Sequence, residues 1–308
     1  MSGGAADKAG AVPLVSGTAA GGMGGPVAGV SRGPIRLAAF DLDGVIWRGQ
    51  EILPGAQEAL ADVLRRGLDL RYVTNNSTAH REAVSERLAA AGLPAGAGRV
   101  LTSAFVAAWW LKGQLPAGAR VMVLGEEGLL REIQDAGLDA YYAKEAKLGD
   151  AVPAAVVVGM DRSFCYDTVA AAQWAIKGGA LFLATNRDAT FPIPGGLKPG
   201  AGAVVAAVAA AAELEPLLMG KPAPALAETL AAVTGISAAQ TLFVGDRLGT
   251  DIVMGANAGM LTALVLTGIS TEDDLREATA AGTRPLPDHV LGDLRELPAL
   301  LDGLASIS

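Results

Sequence analysis

The chain has 308 residues, of which 51% are hydrophobic and 18% are charged, so it can bury one large apolar core or two modest ones, and we expect two. Its formal charge of −8 argues against nucleic acid and anionic membranes as main partners, because no surplus of cations exists to displace counterions. The single cysteine excludes an internal disulfide framework, and the longest run of small apolar residues is too short to span a bilayer. These features predict a soluble, cytoplasmic protein.

The first segment, residues 1–34, is rich in Gly and Ala and shows no period of 2 or 3.6 residues. It has no apolar face to bury, so we predict a disordered N-terminal tail. Beyond it, strand-like and helix-like segments alternate, which is typical of a mostly parallel sheet covered by helices. We therefore predict an α/β fold with a Rossmann-like, doubly wound parallel sheet at its core.

The predicted elements follow from short apolar runs and from apolar residues at helical spacing. Strands are predicted at residues 35–39, 70–73, 121–124, 154–158, 181–184, 241–244 and 261–266. Helices are predicted at residues 56–64 and 84–91, from about 201, after Pro222, from 251, and from 270 to about 281. Ser270 and Asp273 are predicted to form a capping box at the start of the last helix.

Polar side chains follow three of the predicted strands. The carboxyl ends of parallel strands meet at one edge of the sheet, where open α/β sheets bind ligands. The residues expected at this edge are Asp41, Asp43, Thr74, Asn75, Lys221, Asp246 and Asp251. Acids that lie so close repel one another, so a bound cation is the natural resolution. Ligands that are all oxygen select a hard cation, and a site that keeps several waters favours Mg²⁺.

The spacing of Asp41 and Asp43 also permits a covalent reaction, because residues i and i+2 of an extended strand share a face. A carboxylate can attack phosphorus in line if a metal ion and a lysine neutralise charge on the non-bridging oxygens. A second carboxylate can protonate the leaving oxygen and later deprotonate the attacking water. Asp43 suits that second role.

Four segments resemble, in the correct order, the four motifs of the haloacid dehalogenase (HAD) superfamily. They are Phe40-Asp41-Leu42-Asp43-Gly44, Val73-Thr74-Asn75-Asn76, Gly220-Lys221-Pro222 and Gly245-Asp246-Arg247-Leu248-Gly249-Thr250-Asp251. The resemblance covers essentially the whole chain from Ile35 onward. The presence of Asp43 favours a phosphatase, because the dehalogenases of this superfamily lack the second aspartate.

The resemblance implies a role for each matching residue. Asp41 is the nucleophile, and Asp43 is the general acid and base. The phosphate-binding residues it implies are Thr74 and Lys221, with backbone amides from Gly44 and Asn75. The residues it implies at the Mg²⁺ site, as ligands or as groups that orient the ion and its waters, are Asp41, Asp43, Asp246 and Asp251.

The distances between motifs locate an inserted domain. The chain between Asp41 and Thr74 is long enough only for a hairpin and one helix, whereas the chain between Thr74 and Lys221 can hold a whole α/β cap domain. We place the cap at residues 116–199 and the catalytic core at residues 35–115 and 200–308. An insertion at this point resembles the branch that contains NagD-like, p-nitrophenyl phosphate and phosphoglycolate phosphatases. The resemblance also suggests a homodimer through the cap.

In that branch, the loop after the Thr-Asn-x-Asp stretch hangs over the active site and selects the substrate. The matching candidates here are Asn186, Asp188 and Phe191. Phe191 falls where phosphoglycolate phosphatases have an apolar residue and pyridoxal phosphatases a histidine, which favours small aliphatic phosphates. Because an aromatic ring can also stack on a base, nucleoside monophosphates stay open.

The function predicted from the sequence is hydrolysis of small phosphate monoesters, of the phosphoglycolate, glycerol phosphate or p-nitrophenyl phosphate type, through an aspartyl-phosphate. Four alternatives stay open. A nucleoside 5'-monophosphate or pyridoxal phosphate phosphatase would belong to the same branch. A phosphotransferase would use an acceptor other than water, and a phosphometabolite sensor would have no catalytic activity.

Overall fold

The computed structural model describes residues 33–147, 149–193 and 195–306. The predicted tail, residues 1–34, therefore lies outside the described residues except for its last two positions. Within the described ranges, no helix combines the length and the apolar character needed to cross a membrane.

Strands and helices alternate along the described chain. The strands are β1 (Leu37–Phe40), β2 (Trp47–Arg48), β3 (Glu51–Ile52), β4 (Asp69–Thr74), β5 (Val100–Thr102), β6 (Arg120–Leu124), β7 (Asp139–Tyr142), β8 (Ala155–Val158), β9 (Leu181–Ala184), β10 (Thr190–Ile193), β11 (Gly196–Pro199), β12 (Leu217–Leu218), β13 (Thr241–Gly245), β14 (Leu261–Val265) and β15 (His289–Leu291). The α-helices are α1 (Ala56–Arg65), α2 (Arg81–Ala90), α3 (Ser103–Gln114), α4 (Glu127–Asp135), α5 (Tyr166–Lys177), α6 (Ala201–Ala212), α7 (Pro224–Thr234), α8 (Val253–Ala258), α9 (Glu272–Ala280) and α10 (Leu297–Ala305).

The first sheet has six parallel strands in the order β15-β14-β13-β1-β4-β5. Its central strand β1 is a short apolar run in which every residue is buried, as expected for a strand with both faces covered. Because β4 lies on one side of β1 and β13 on the other, the winding of the chain reverses here. The carboxyl end of β1 is therefore the switch point at which open α/β sheets bind ligands. The predicted α/β fold with a parallel sheet is confirmed.

The second sheet has five parallel strands in the order β12-β9-β8-β6-β7. Four of them lie between residues 116 and 199, where the inserted cap is predicted. Its edge strand β12 and helix α6 lie beyond residue 199, and the apolar side chains of α6 pack in one cluster with residues of β8 and β9. The elements of the second sheet therefore continue past the predicted end of the insertion, and the domain limits themselves stay a prediction.

Apolar side chains of the described residues form three clusters, and one of them joins the two sheets. Along β1, Ala38 and Phe40 belong to a cluster on one face, whereas Leu37 and Ala39 belong to a cluster on the other. This second cluster, which we call the shared cluster, also contains Phe243 of the first sheet and residues 121, 123, 155, 157 and 183 of the second. The third cluster packs the far face of the second sheet against α5 and α6.

The start of α9 differs from the prediction by one residue. Thr271, not Ser270, caps the helix, and its side chain accepts a hydrogen bond from the Asp274 amide while Asp274 accepts one from the Thr271 amide. The hydroxyl of Ser270 is turned inward instead, where it accepts a hydrogen bond of 3.0 Å from the amide of Leu248. The helix predicted from Asp251 also differs, because a π-helical turn, Leu248–Ile252, precedes α8.

We expect Leu60→Ala to lower the free energy of unfolding by about 2–5 kcal/mol, because it leaves a cavity under α1. The Leu60 side chain is fully buried. Leu64→Ala on the same helix is the matched control, since Leu64 is only partly buried and should cost clearly less. Urea unfolding followed by circular dichroism measures both, and equal losses would contradict the assigned packing of α1.

Candidate active site

Three polar residues reach the same edge of the first sheet because their strands run parallel. Asp41 directly follows β1, Thr74 ends β4, and Asp246 directly follows β13. The amide of Asp41 still donates to the carbonyl oxygen of Val244 at 2.9 Å, so the pairing of β1 with β13 continues to the first site residue. The switch point of the sheet thus carries the carboxylates that the sequence predicts there.

Asp41, Asp246 and Asp251 form a buried group of carboxylates, in which one oxygen of each lies within 4.8 Å of the others. Asp251 reaches the group from the π-helical turn, where its Oδ2 accepts a hydrogen bond from the Arg247 amide at 3.0 Å. This approach requires a glycine at position 245, because a Cβ there would lie 2.3 Å from Cβ of Asp251. Asp246 is held by the amide of Ile269, which donates to its Oδ2 at 2.7 Å.

Lys221 supplies a positive charge to this group. Its Nζ lies 2.8 Å from Oδ1 of Asp41 and 2.7 Å from Oδ1 of Asp251, and the side chain is buried. Burial alone would lower the pKa of Lys221, but the nearby carboxylates of Asp251 and Asp41 raise it above its ordinary value. The lysine therefore stays charged.

One lysine does not balance three buried carboxylates. Burial raises the pKa of Asp41 well above its ordinary value, with Lys221 acting in the opposite direction. Burial, followed by the charge of Asp251, raises the pKa of Asp246 to about 7. Oδ1 of Asp251 is buried, and the Lys221 ammonium at 2.7 Å is shared between this oxygen and Asp41. An added cation would relieve this excess of negative charge, and a donor set made only of oxygen fits a hard divalent ion.

The structure keeps the Asp43 carboxylate apart from the other three. Asp43 is not part of the carboxylate group, and its Oδ1 accepts a hydrogen bond of 3.0 Å from Nε1 of Trp47. The Trp47 ring lies under the guanidinium of Arg87, 3.8 Å from the ring centroid. Burial raises the pKa of Asp43, and the hydrogen bond from Trp47 opposes this shift. Its side chain lines the cavity without reaching the predicted metal ligands, so the position of the carboxylate does not support its prediction as a ligand.

The amide of Gly44 is used within the chain. It donates to the carbonyl oxygen of Trp47 at 2.8 Å and closes the turn after β1, and this contact does not support the predicted use of the amide for phosphate. Gly44 has a φ of +84°, and a Cβ at this position would lie 2.4 Å from Oδ2 of Asp246. A glycine is therefore needed here for the close approach of Asp246 as well as for the backbone conformation.

The remaining predicted residues surround the group. Thr74 is buried, and its hydroxyl accepts a hydrogen bond of 3.1 Å from the Asn76 amide. Asn186 donates from Nδ2 to the Asn75 carbonyl oxygen at 2.7 Å and accepts from the Asp188 amide at 3.1 Å, so its side chain fixes backbone. Asp188 lies 3.4 Å from the guanidinium of Arg247.

A cavity of about 420 Å³ lies above these residues. Phe191 of β10 lines it and is partly exposed, as a substrate contact requires. Thr74, Asn75, Lys221, Asn186 and Asp188 line it as well, together with the residues of the acid group. The structure thus brings all the predicted residues to one cavity.

Sequence reasoning missed several residues of this cavity, among them Arg48, Met160, Arg162 and Arg247. One of these arginines had a signal in the sequence, because Arg247 lies inside the fourth motif. The amide of Ile269 had none, since every residue except proline carries the same backbone donor.

Comparison with known proteins agrees with this geometry. Residues 38–139 match the family described as haloacid dehalogenase-like hydrolase, and residues 218–297 match HAD-hydrolase-like. The glycerol-3-phosphate phosphatase of Gallus gallus is 40% identical over 85% of this chain and 91% of its own length.

Two solved structures are similar over most of the chain. The p-nitrophenyl phosphatase from Archaeoglobus fulgidus has a TM-score of 0.79 and 30% identity, with 87% of this chain and 100% of that chain covered. The glycerol phosphate phosphatase Rv1692 from Mycobacterium tuberculosis, in complex with magnesium, has a TM-score of 0.76 and 36% identity, with 87% and 78% covered. Rv1692 has also been solved in complex with calcium, and phosphatases of this family use a divalent metal.

The order of the four motifs, the geometry of the acid group and these similarities agree with one another, and the resemblance predicted from the motifs is confirmed. The chain belongs to the haloacid dehalogenase-like hydrolases, within the branch of phosphoric monoester hydrolases.

Proposed function

We propose that this enzyme is a Mg²⁺-dependent phosphatase that hydrolyses small phosphate monoesters, with Asp41 as the nucleophile. The observation that carries the proposal is the buried group of Asp41, Asp246 and Asp251 around the ammonium of Lys221. It lies at the switch point of the sheet, below a cavity large enough for a small ester. Such a site can place charge around a phosphate, which is most of what phosphate transfer requires.

The carboxylates of Asp41, Asp246 and Asp251 would hold the metal ion. When bound, the ion neutralises charge on the non-bridging phosphate oxygens and helps to orient the phosphate. Mg²⁺ usually binds through few carboxylates and keeps several other positions for waters and substrate oxygens, whereas Ca²⁺ takes 6–8 oxygen ligands. A site with these three carboxylates and room for waters and phosphate oxygens fits Mg²⁺.

The chain's own residues supply the covalent and proton-transfer steps. Lys221 favours the ionised form of Asp41, and a carboxylate oxygen of Asp41 attacks phosphorus while the bond from phosphorus to the ester oxygen breaks. Asp43, whose pKa is raised by burial, donates a proton to the leaving oxygen. Asp43 then accepts a proton from a water whose oxygen attacks the phosphoryl group, which releases inorganic phosphate and the Asp41 carboxylate. Lys221 and the Thr74 hydroxyl bind the phosphate oxygens during both steps.

The lining of the cavity supports small aliphatic esters as substrates. Phe191 and Met160 supply apolar surface at the cavity. Arg48 and Arg162 also line it, and Arg162 forms an ion pair of 2.9 Å with Glu126. The relatives named above include two that act on glycerol phosphates. We therefore propose glycerol phosphate or phosphoglycolate as the substrate type, ahead of nucleoside monophosphates and pyridoxal phosphate.

Asp41→Asn should lower turnover of p-nitrophenyl phosphate with Mg²⁺ by roughly 10⁴-fold or more, because the nucleophile is lost. The matched control is Asp139→Asn, an exposed aspartate at the edge of the second sheet, which should leave turnover unchanged. Release of p-nitrophenolate measures both, and circular dichroism checks that both variants fold. Substantial activity in folded Asp41→Asn enzyme would rule out covalent catalysis by this residue.

Gly44→Ala should lower turnover by roughly 10²-fold and raise the Mg²⁺ concentration for half-maximal activity, since its Cβ displaces Asp246. Gly67→Ala is the control, because Gly67 also has a positive φ, of +74°, but no atom lies within 4 Å of its added Cβ. The control should lose only about 1–2 kcal/mol of stability. Mg²⁺ titrations of activity and of thermal stability separate the two effects. An unchanged Mg²⁺ requirement in Gly44→Ala would contradict the assigned role of Asp246.

Phe191→Ala should change the ranking of substrates more than it changes turnover of p-nitrophenyl phosphate, because the ring lines the cavity but supplies none of the reacting groups. The panel comprises phosphoglycolate, glycerol phosphates, nucleoside monophosphates and pyridoxal phosphate, with phosphate release as the readout. Leu197→Ala, an exposed position on the paired strand β11, is the control. If Phe191→Ala leaves the ranking as it is in the wild type, the assignment of this hairpin to substrate selection is wrong.

A further inference from the structure

The side chain of Asn75 holds the backbone of Lys221 at two points. Its Oδ1 accepts a hydrogen bond of 2.8 Å from the Lys221 amide, and its Nδ2 donates to the Lys221 carbonyl oxygen at 3.1 Å. The same Nδ2 donates to Oδ2 of Asp188 at 3.2 Å. The side-chain amide of Asn75 is therefore hydrogen-bonded to both polar groups of the Lys221 main chain and to Asp188, which lies in the segment after β9.

The main chain of Asn75 is fixed as well. Its carbonyl oxygen accepts hydrogen bonds of 2.7 Å from the hydroxyl of Ser103 and from Nδ2 of Asn186. The turn that carries Lys221 packs directly on this residue, because a Cβ at Gly220 would lie 2.6 Å from Oδ1 of Asn75 and 2.4 Å from the Thr185 carbonyl oxygen. The amide thus lies where three segments of the chain meet.

The position of the Lys221 backbone matters because its ammonium has little freedom. Nζ lies between Asp41 and Asp251, at 2.8 and 2.7 Å, in a buried site. The four-carbon stem of a lysine is flexible, but here the side chain is buried and has little room to change its rotamers. A shift of the main chain would therefore move Nζ relative to the two carboxylates. A displacement of about 1 Å at a reacting group can cost roughly 10²-fold in rate.

Direct binding of phosphate by the Asn75 side chain fits these contacts less well. A side-chain amide has two N–H donors, and both are used here, one by Lys221 and one by Asp188. The remaining Oδ1 is an acceptor that already binds the Lys221 amide, and it would repel a phosphate oxygen. The side chain therefore has no free donor for a substrate.

We propose that Asn75 is a positioning residue, whose side chain sets the location of the Lys221 ammonium between Asp41 and Asp251. This role is distinct from the backbone contact to phosphate predicted from the motif. It rests on the proposed phosphatase activity, because Lys221 binds phosphate in that reaction.

Two variants test the proposal in the full-length enzyme. Asn75→Ala removes all three side-chain hydrogen bonds, and Asn75→Asp keeps an acceptor for the Lys221 amide but loses both donors. We expect each to lower kcat for p-nitrophenyl phosphate by roughly 10- to 100-fold, with a smaller change in KM. Gln57→Ala is the matched control. It removes a side-chain hydrogen bond of 3.1 Å from Nε2 of Gln57 to the Ala91 carbonyl oxygen, which lies outside the site, and it should leave kcat unchanged.

The second measurement repeats Asn75→Ala in a Lys221→Ala background, with single-turnover kinetics. If Asn75 acts through Lys221, the double variant should be no slower than Lys221→Ala alone, since effects on one shared contact do not add. A loss that multiplies in the double variant would show an independent contact with substrate and overturn the proposal. Full kcat in either folded Asn75 variant would overturn it too. Should Asn75→Ala fail to fold, Asn75→Asp supplies the test.

The outcomes also separate this inference from the proposed function. A wild-type enzyme that hydrolyses no ester with Mg²⁺ would contradict the phosphatase assignment itself. If the wild-type enzyme hydrolyses p-nitrophenyl phosphate and the Asn75 variants are equally active, only the positioning role is contradicted.

Discussion

The ion contacts of Lys221 with Asp41 and Asp251 are the interaction on which the rest of the site depends. A carboxylate buried as Asp41 is buried would take up a proton and lose its nucleophilic character. The lysine opposes this, and its own charge is maintained by the two acids it contacts. Each charge thus favours the other, and the surrounding chain fixes Lys221 through its backbone as well as through its ammonium.

The parallel sheet and a few glycines make this arrangement possible. β1 lies between β4 and β13, so three polar residues meet without any long-range loop to place them. Close packing then requires glycine at positions 44, 245 and 268, because a Cβ at any of these positions would collide with the side chain of Asp246 or Asp251. The backbone therefore approaches the carboxylates more closely than any larger residue would allow, and burial of the acids follows from that approach.

The sequence predicts the chemistry of this site better than its contacts. Asp41, Thr74, Lys221 and Asp246 could be identified because each follows a recognisable strand or stands in a motif of fixed order. The direction of the Asp43 side chain could not be predicted from the sequence. It depends on a hydrogen bond from Trp47, and the motif does not specify the geometry of the turn that contains them. The extent of the second sheet was also missed, because the two residues of β12 carry too short a pattern to predict a strand.

The hairpin of β10 and β11 contributes less to the packed core than the strands that carry the acids. All four residues of β11 are exposed, and neither Phe191 nor Leu197 is in any of the apolar clusters of the described residues. Changes there cost little folding free energy, whereas changes near Asp41 disturb a packed core. If the hairpin selects substrates as proposed, its residues can be exchanged at little cost to folding, whereas the same exchanges beside the acids would disturb the packed core.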